Sequence, residues 1–122
     1  YEHYLKKARV MLNEAEKDLG NGCYNKAVSA SWFTVEALLK AIVLRKGKPV
    51  PERPNRLISL IHRIIGLEHP DKKHLIPIIS SLYEKRKRAD HREVIFDPTH
   101  AIKSLSQARK IYDELISTIL DN

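Results

Sequence analysis

Tyr24, Val28, Ser31, Val35, Leu38 and Ile42 are separated by 4, 3, 4, 3 and 4 positions. That is the spacing of one face of an α-helix and does not fit the two-residue alternation of a half-buried strand. A second row, Trp32, Glu36, Leu39 and Val43, runs beside the first. The apolar arc is too wide for a helix lying on a surface, so the pattern predicts a long helix from about Cys23 to Lys46 at the centre of a bundle.

The flanking segments repeat the signal. Tyr1, Tyr4, Ala8, Met11 and Ala15 share one face of a segment over Tyr1 to Leu19, which Gly20-Asn21-Gly22 stops. Gly47 closes the central helix, and three prolines between Lys48 and Pro54 require an extended connection. Asn55 is the expected cap of a third helix carrying Leu57, Ile58, Leu60, Ile61, Ile64 and Ile65, with Gly66 as its end. A fourth helix is expected from Asp71 to Ala89, its first turns kinked or delayed by Pro77. Asp97-Pro98 reads as a cap followed by proline at the first helical position. The last helix then carries Ala101, Leu105, Ala108, Tyr112, Leu115 and Ile119. With no strand pattern, internal repeat or low-complexity tract, the expectation is one all-α domain over residues 1–122, an up-and-down bundle of four to five helices. The stripes are broad enough to leave apolar surface for a homodimer.

Twenty-two Lys and Arg oppose 15 Asp and Glu, a formal charge of +7. The excess favours an anionic partner, and nucleic acid before membrane, because no basic segment has an aromatic face; charge alone equally suits a merely soluble surface. The most apolar run, Ala30 to Leu44, is broken by Glu36 and Lys40 and reads as too short and too charged to span a bilayer. Cys23 is the sole cysteine, which forbids an internal disulfide. With no signal-peptide pattern, this suits a cytoplasmic setting. The histidines at 3, 62, 69, 74, 91 and 100 form no His-x3-His pair, so no metal and no cofactor is expected. Nucleotide-binding glycine loops and the G-x-S-x-G elbow of serine hydrolases are missing too.

Charge is densest in Lys85-Arg86-Lys87-Arg88-Ala89-Asp90-His91-Arg92. Leu75, Ile79, Leu82, Arg86 and Ala89 are spaced 4, 3, 4 and 3, so Arg86 continues an apolar stripe and points inward, where it needs an acceptor. Lys85, Lys87 and Arg88 fall mainly off that stripe and, with Arg92, form a candidate substrate-binding set. His91 lies five positions after Arg86, about 140° round an unbroken helix. Either the helix ends between them or the two groups meet through a second copy of the chain. Arg88 and Arg92 flank His91 and favour a neutral imidazole able to accept a proton. A lone histidine in a basic stretch is more often a solvated or phosphate-contacting residue. Glu36, set among bulky apolar neighbours, is either the partner of Arg86 or a border residue paired with Lys40 one turn on. Asp90, at i+4 from Arg86, reads as an ordinary surface ion pair.

Asp18-Leu19, Tyr24-x-x-Ala27-Val28, Ser31-Trp32-Phe33-Thr34-Val35-Glu36-Ala37-Leu38-Leu39-Lys40-Ala41, Gly47 and Arg86-x4-His91 together resemble the HEPN family, small helical domains named for higher eukaryotes and prokaryotes nucleotide-binding. The likeness covers nearly the whole chain. It implies a bundle of four or five helices, usually dimeric, in which the Arg-x4-6-His motifs of two protomers face each other across a cleft. In active members that cleft is a metal-independent endoribonuclease. By resemblance, Arg86 would stabilise the phosphorane charge, His91 would transfer protons as the RNA 2′-hydroxyl attacks the adjacent phosphate, and Glu36 would orient the arginine. A 2′,3′-cyclic phosphate would be the product. The family also pairs with small nucleotidyltransferases in two-gene toxin and antitoxin modules.

Two positions depart from the pattern. Toxins silenced by adenylylation have a tyrosine two places after the histidine, where this chain has Glu93; many relatives open the third helix with a histidine, where this chain has Asn55-Arg56. Numerous members bind without catalysis. Three readings therefore stand side by side: a ribonuclease, a module that binds RNA or nucleotide without cutting it, and a helical partner for a nucleotidyltransferase.

Overall fold

The computed structural model describes residues 1–90 and 94–120, the last two by their backbone alone. Among them are five α-helices and no strand: α1 (Glu2–Gly20), α2 (Tyr24–Arg45), α3 (Pro54–Glu68), α4 (Leu75–Ala89) and α5 (Pro98–Leu120), with a single 3-10 turn, Pro70–Lys72, before α4. The expected all-α bundle is the observed one.

At the centre stands α2, packed on α1, α3, α4 and α5. Val28, Trp32, Val35, Leu38, Leu39 and Val43 are wholly buried, so both rows read from the sequence face the core. By length and hydropathy this helix would suffice to cross a bilayer, contrary to the reading of Ala30 to Leu44 as too short and too charged, but 72% of its most apolar window is buried inside the bundle. Its apolarity is spent on core packing. Ala8 and Ala15 bring α1 close to it, Leu57, Ile61 and Ile65 face it from α3, and Ala101, Ala108, Ile111 and Leu115 from α5. In the last helix Ile111 takes the wholly buried place and Tyr112 lies half out; the side chain of Ile119 lies outside those described.

Four boundaries follow local chemistry. Gly22 and Gly47 have φ of +74° and +72° and end α1 and α2 in the left-handed region. Pro77 sits in the first turn of α4, where no backbone N–H is needed, and the helix starts at Leu75 rather than Asp71. Asp97 Oδ1 accepts the backbone N–H of His100 at 2.9 Å, the expected cap of α5.

Two expectations at α3 are corrected. Arg53 takes the cap position and Pro54 the first helical one, so Asn55 lies inside the helix; proline's fixed φ favours that place and its missing N–H costs nothing there. Gly66 does not close α3, which runs on to Glu68 with His69 as its C-cap. Leu67 is 78% exposed and contributes little to the extra turn, but Glu68 accepts a bond from Lys46 Nζ at 2.9 Å and ties that turn to the end of α2.

Candidate functional site

The stripe Leu75, Ile79, Leu82 is wholly buried, and Arg86 continues it with its side chain 32% exposed. The guanidinium carbon lies 5.2 Å from the centre of the Phe33 ring on α2, within cation–π range. Arg86 Nε is buried and 3.1 Å from Asp90 Oδ2. The charges are close, but the N–H is not aimed at the oxygen as a hydrogen bond requires. Arg86 is thus held by a ring and a neighbouring carboxylate, while its terminal nitrogens have no partner among the described residues.

Asp90 is fixed in turn by Ser29, whose hydroxyl donates to Oδ1 at 3.1 Å. One turn earlier on α2, Asn25 spans a longer gap. Its Nδ2 donates to the carbonyls of Ala89 (3.2 Å) and Val94 (2.7 Å), and its Oδ1 accepts the N–H of Phe96 at 2.8 Å. Asn25 therefore joins the last residue of α4 to the chain entering α5, on either side of residues 91–93. Asn25, Ser29 and Phe33 are spaced i, i+4, i+8 and form one stripe along α2. Each holds a different part of the Arg86 region: the chain ends, Asp90 and the guanidinium.

Two open pockets meet on this side. One is lined by Tyr4, Lys7, Phe33, Glu36 and Lys40, the other by Glu14, Asp18, Asn25, Ser29 and Asp90; Met11 and Phe33 border both. They form one groove between α1, α2 and the end of α4, with acid and base along its walls.

Glu36 does not meet Arg86 within the chain. It lies 3.6 Å from Lys40, one turn along α2, which is the second of the two arrangements its sequence allows. Phe33 occupies the space nearest Arg86 on that side, and Asp90 is the carboxylate beside the guanidinium. His91 and Arg92 lie outside the described residues.

The remaining basic residues divide. Lys87 pairs with Glu84 at 3.1 Å and lies over Tyr83. Lys85 and Arg88 turn the other way, toward α5: Lys85 Nζ is 3.4 Å from Gln107 Oε1, and the Arg88 guanidinium carbon is 5.9 Å from the Phe96 ring centre. Partial burial, with Lys103 and Arg88 nearby, lowers the ammonium pKa of Lys85.

Asn25 and Ser29 escaped the sequence reading. Near a helix start, small polar residues ordinarily cap their own helix, and no local signal says that these two bond across 60 or more positions. Among the described residues no group of His, Cys, Asp and Glu is arranged to hold a metal ion. The family model described as HEPN domain matches residues 1–118. No curated protein matches the chain.

Proposed function

Because this chain belongs to the HEPN family, we propose that it acts on RNA as a metal-independent endoribonuclease, working as a homodimer whose two Arg86 and His91 sets face one cleft. The observation that carries the proposal is Arg86: a guanidinium set on an apolar stripe, beside the Phe33 ring, whose terminal nitrogens have no partner among the described residues and suit an outside anion. Structural arginines ordinarily spend those nitrogens on carboxylates or carbonyls.

In this reading His91 removes the proton of a ribose 2′-hydroxyl, the 2′-oxygen forms a bond to the adjacent phosphorus, and the bond from phosphorus to the 5′-oxygen breaks. The leaving oxygen takes a proton, and a 2′,3′-cyclic phosphate remains. Arg86 stabilises the charge that builds on the phosphoryl oxygens. Glu36, paired with Lys40 on the groove wall, contributes to the field around Phe33 and reaches Arg86 only through it. The groove bordered by Met11 and Phe33 is the surface the second copy covers, and the surroundings are those of the cytoplasm.

A second reading, binding of RNA or nucleotide without cleavage, draws on Asp90. Its carboxylate lies 3.1 Å from Arg86 Nε and would oppose a phosphate arriving at the same guanidinium. The same groove would then serve a nucleotidyltransferase as a docking face.

Incubation of the protein with mixed RNA in EDTA, beside Arg86→Ala, His91→Ala and a 2′-deoxy substrate, separates the readings. Cleavage by the wild type alone, with cyclic-phosphate ends and intact deoxy substrate, is expected. Retained binding without cleavage transfers the proposal to the second reading, and cleavage that survives in both variants refutes the assignment of the two residues. Light scattering that finds only monomer removes the shared cleft.

A further inference from the structure

Helices α4 and α5 are joined by a short connection and run antiparallel, which sets Lys85 against Gln107 and brings Arg88, one turn on, level with Lys103, one turn back along α5. On α4, Lys85 and Arg88 are about 60° apart, while Arg86 lies about 100° from the first and 160° from the second. The face that Lys85 and Arg88 share is thus turned away from the Phe33 platform. Lys85 is partly sunk beside Gln107; Arg88 and Lys103 are exposed. None of the three has a carboxylate partner among the described residues, where the nearby acids are already engaged: Glu84 with Lys87, Asp97 with His100.

From this arrangement we infer that Lys85, Arg88 and Lys103 form a backbone-phosphate tract for single-stranded RNA on the α4/α5 seam, separate from the Arg86 groove. The inference rests on the RNA reading above and adds to it a second binding surface, one residue of which, Lys103, no motif singles out. Three cations side by side, with no carboxylate partner among the described residues, repel one another, and the depressed pKa of Lys85 has burial as its first cause and the charges of Lys103 and Arg88 after it. A chain of phosphates relieves that repulsion and releases its own counterions. Exposed Ile95 and Ile102 lie in the same region, but stacking platforms for bases are aromatic, so the tract tracks the backbone and carries no sequence preference.

The tract and Arg86 lie on opposite sides of the C-terminal end of α4. A helix with its side chains is about 10–12 Å across, and a strand advances about 3.4 Å per nucleotide when stacked. Passing round half the helix, about 16–19 Å at that diameter, one strand needs about five nucleotides to touch both surfaces.

The experiment is fluorescence-anisotropy titration of uncleavable 2′-O-methyl RNA, 3 and 12 nucleotides long, over a range of salt. The proteins are wild type, Arg86→Ala, the triple variant Lys85→Gln, Arg88→Gln, Lys103→Gln, and a triple variant of equal charge loss on α1, Lys6→Gln, Arg9→Gln, Lys17→Gln. The tract variant is expected to lower the slope of log affinity against log salt by about 2 for the 12-mer, at about 0.7 for each phosphate that is no longer neutralised, and to leave the 3-mer far less affected. The α1 variant is expected to stay near wild type. The swap Lys85→Arg, Arg88→Lys, Lys103→Arg should keep the wild-type slope, and thermal unfolding of the Gln variant should show a folded protein with only a small loss of stability, since the Arg88 contact with Phe96 is removed while the charge lost at Lys85 is one the fold opposes. Equal slopes for the two triple variants, with binding still lost in Arg86→Ala, overturn the tract and leave the RNA reading standing. A wild type that binds neither oligonucleotide overturns both, and a tract variant that unfolds shifts the decision to the single variants Arg88→Gln and Lys103→Gln, each of which must lower the 12-mer slope by about 0.7 or the inference falls.

Discussion

Removing the Asn25 side chain should weaken the whole bundle, although the residue lies outside its core. Asn25→Ala deletes three hydrogen bonds at once and leaves the carbonyls of Ala89 and Val94 and the N–H of Phe96 without their partner. Each such bond contributes about 0.5–1.5 kcal/mol net. Asn25 is half-buried, so water can reach part of the space and the lower half of that range applies, for a total of about 1.5–3 kcal/mol. Urea unfolding should show the midpoint falling by about 1–2 M at unchanged slope, with a drop of about 10 °C on heating. Amide exchange at Phe96 should accelerate along with it. Asn25→Asp sharpens the test. The carboxylate can still accept from Phe96 but faces two carbonyl oxygens, so its native-state pKa should lie above the ordinary value of about 3.9. Stability relative to Asn25→Ala is then highest at low pH, where the protonated acid donates one bond, and is lost as pH rises through the native pKa. An Asn25→Ala protein within about 0.5 kcal/mol of wild type would mean that water replaces the side chain without loss, and the idea that Asn25 fastens the end of α4 would have to be given up.

The two kinds of glycine should respond oppositely to alanine. Gly66→Ala, inside α3 with no atom within 4 Å of the added carbon, should stabilise by about 0.5–1 kcal/mol, whereas Gly47→Ala, at φ +72° with equally open space, should cost about 1–2 kcal/mol from backbone strain alone; chemical denaturation of both tests this. His100, through its backbone N–H and then its ring, holds the pKa of Asp97 below the ordinary carboxylate value, so the stabilising effect of that cap is present above the unfolded-state pKa and is lost as pH falls through the folded one. Acid titration of Asp97→Ala should therefore show a shallower decline than wild type below about pH 4. A double-mutant cycle with Phe33→Leu and Arg86→Met should return a coupling of about 0.5–1 kcal/mol for the cation–π pair, and zero coupling would reduce Phe33 to a spacer.

Helix existence and the identity of the core were readable because both depend on periodicity. Val28, Val35 and Leu38 are buried where their 4-3 spacing puts them. Breaker residues were less informative: Gly47 ends a helix but Gly66 continues one, since glycine permits a left-handed turn without requiring it. Arg86 was legible as an inward-facing arginine because it interrupts an apolar stripe. Its partner was not, since Glu36, Asp90 and Phe33 all satisfy the sequence and only tertiary packing selects the ring and Asp90. Asn25 and Ser29 were invisible for a related reason, as their partners are 61 to 71 positions away. The basic run could be seen, but not its division between two faces, which depends on where α5 lies.

The groove is not a set of loops hung on a scaffold. Asn25, Ser29 and Phe33 stand on the outer face of the helix whose other faces are the hydrophobic core, so the backbone beneath the guanidinium opens to solvent only when the bundle as a whole opens. Its rigidity is inherited from global cooperativity. A substitution deep under Trp32 and a change in the groove beside Phe33 therefore act through the same mechanical part, and selection on the groove in this chain also acts on the stability of its core.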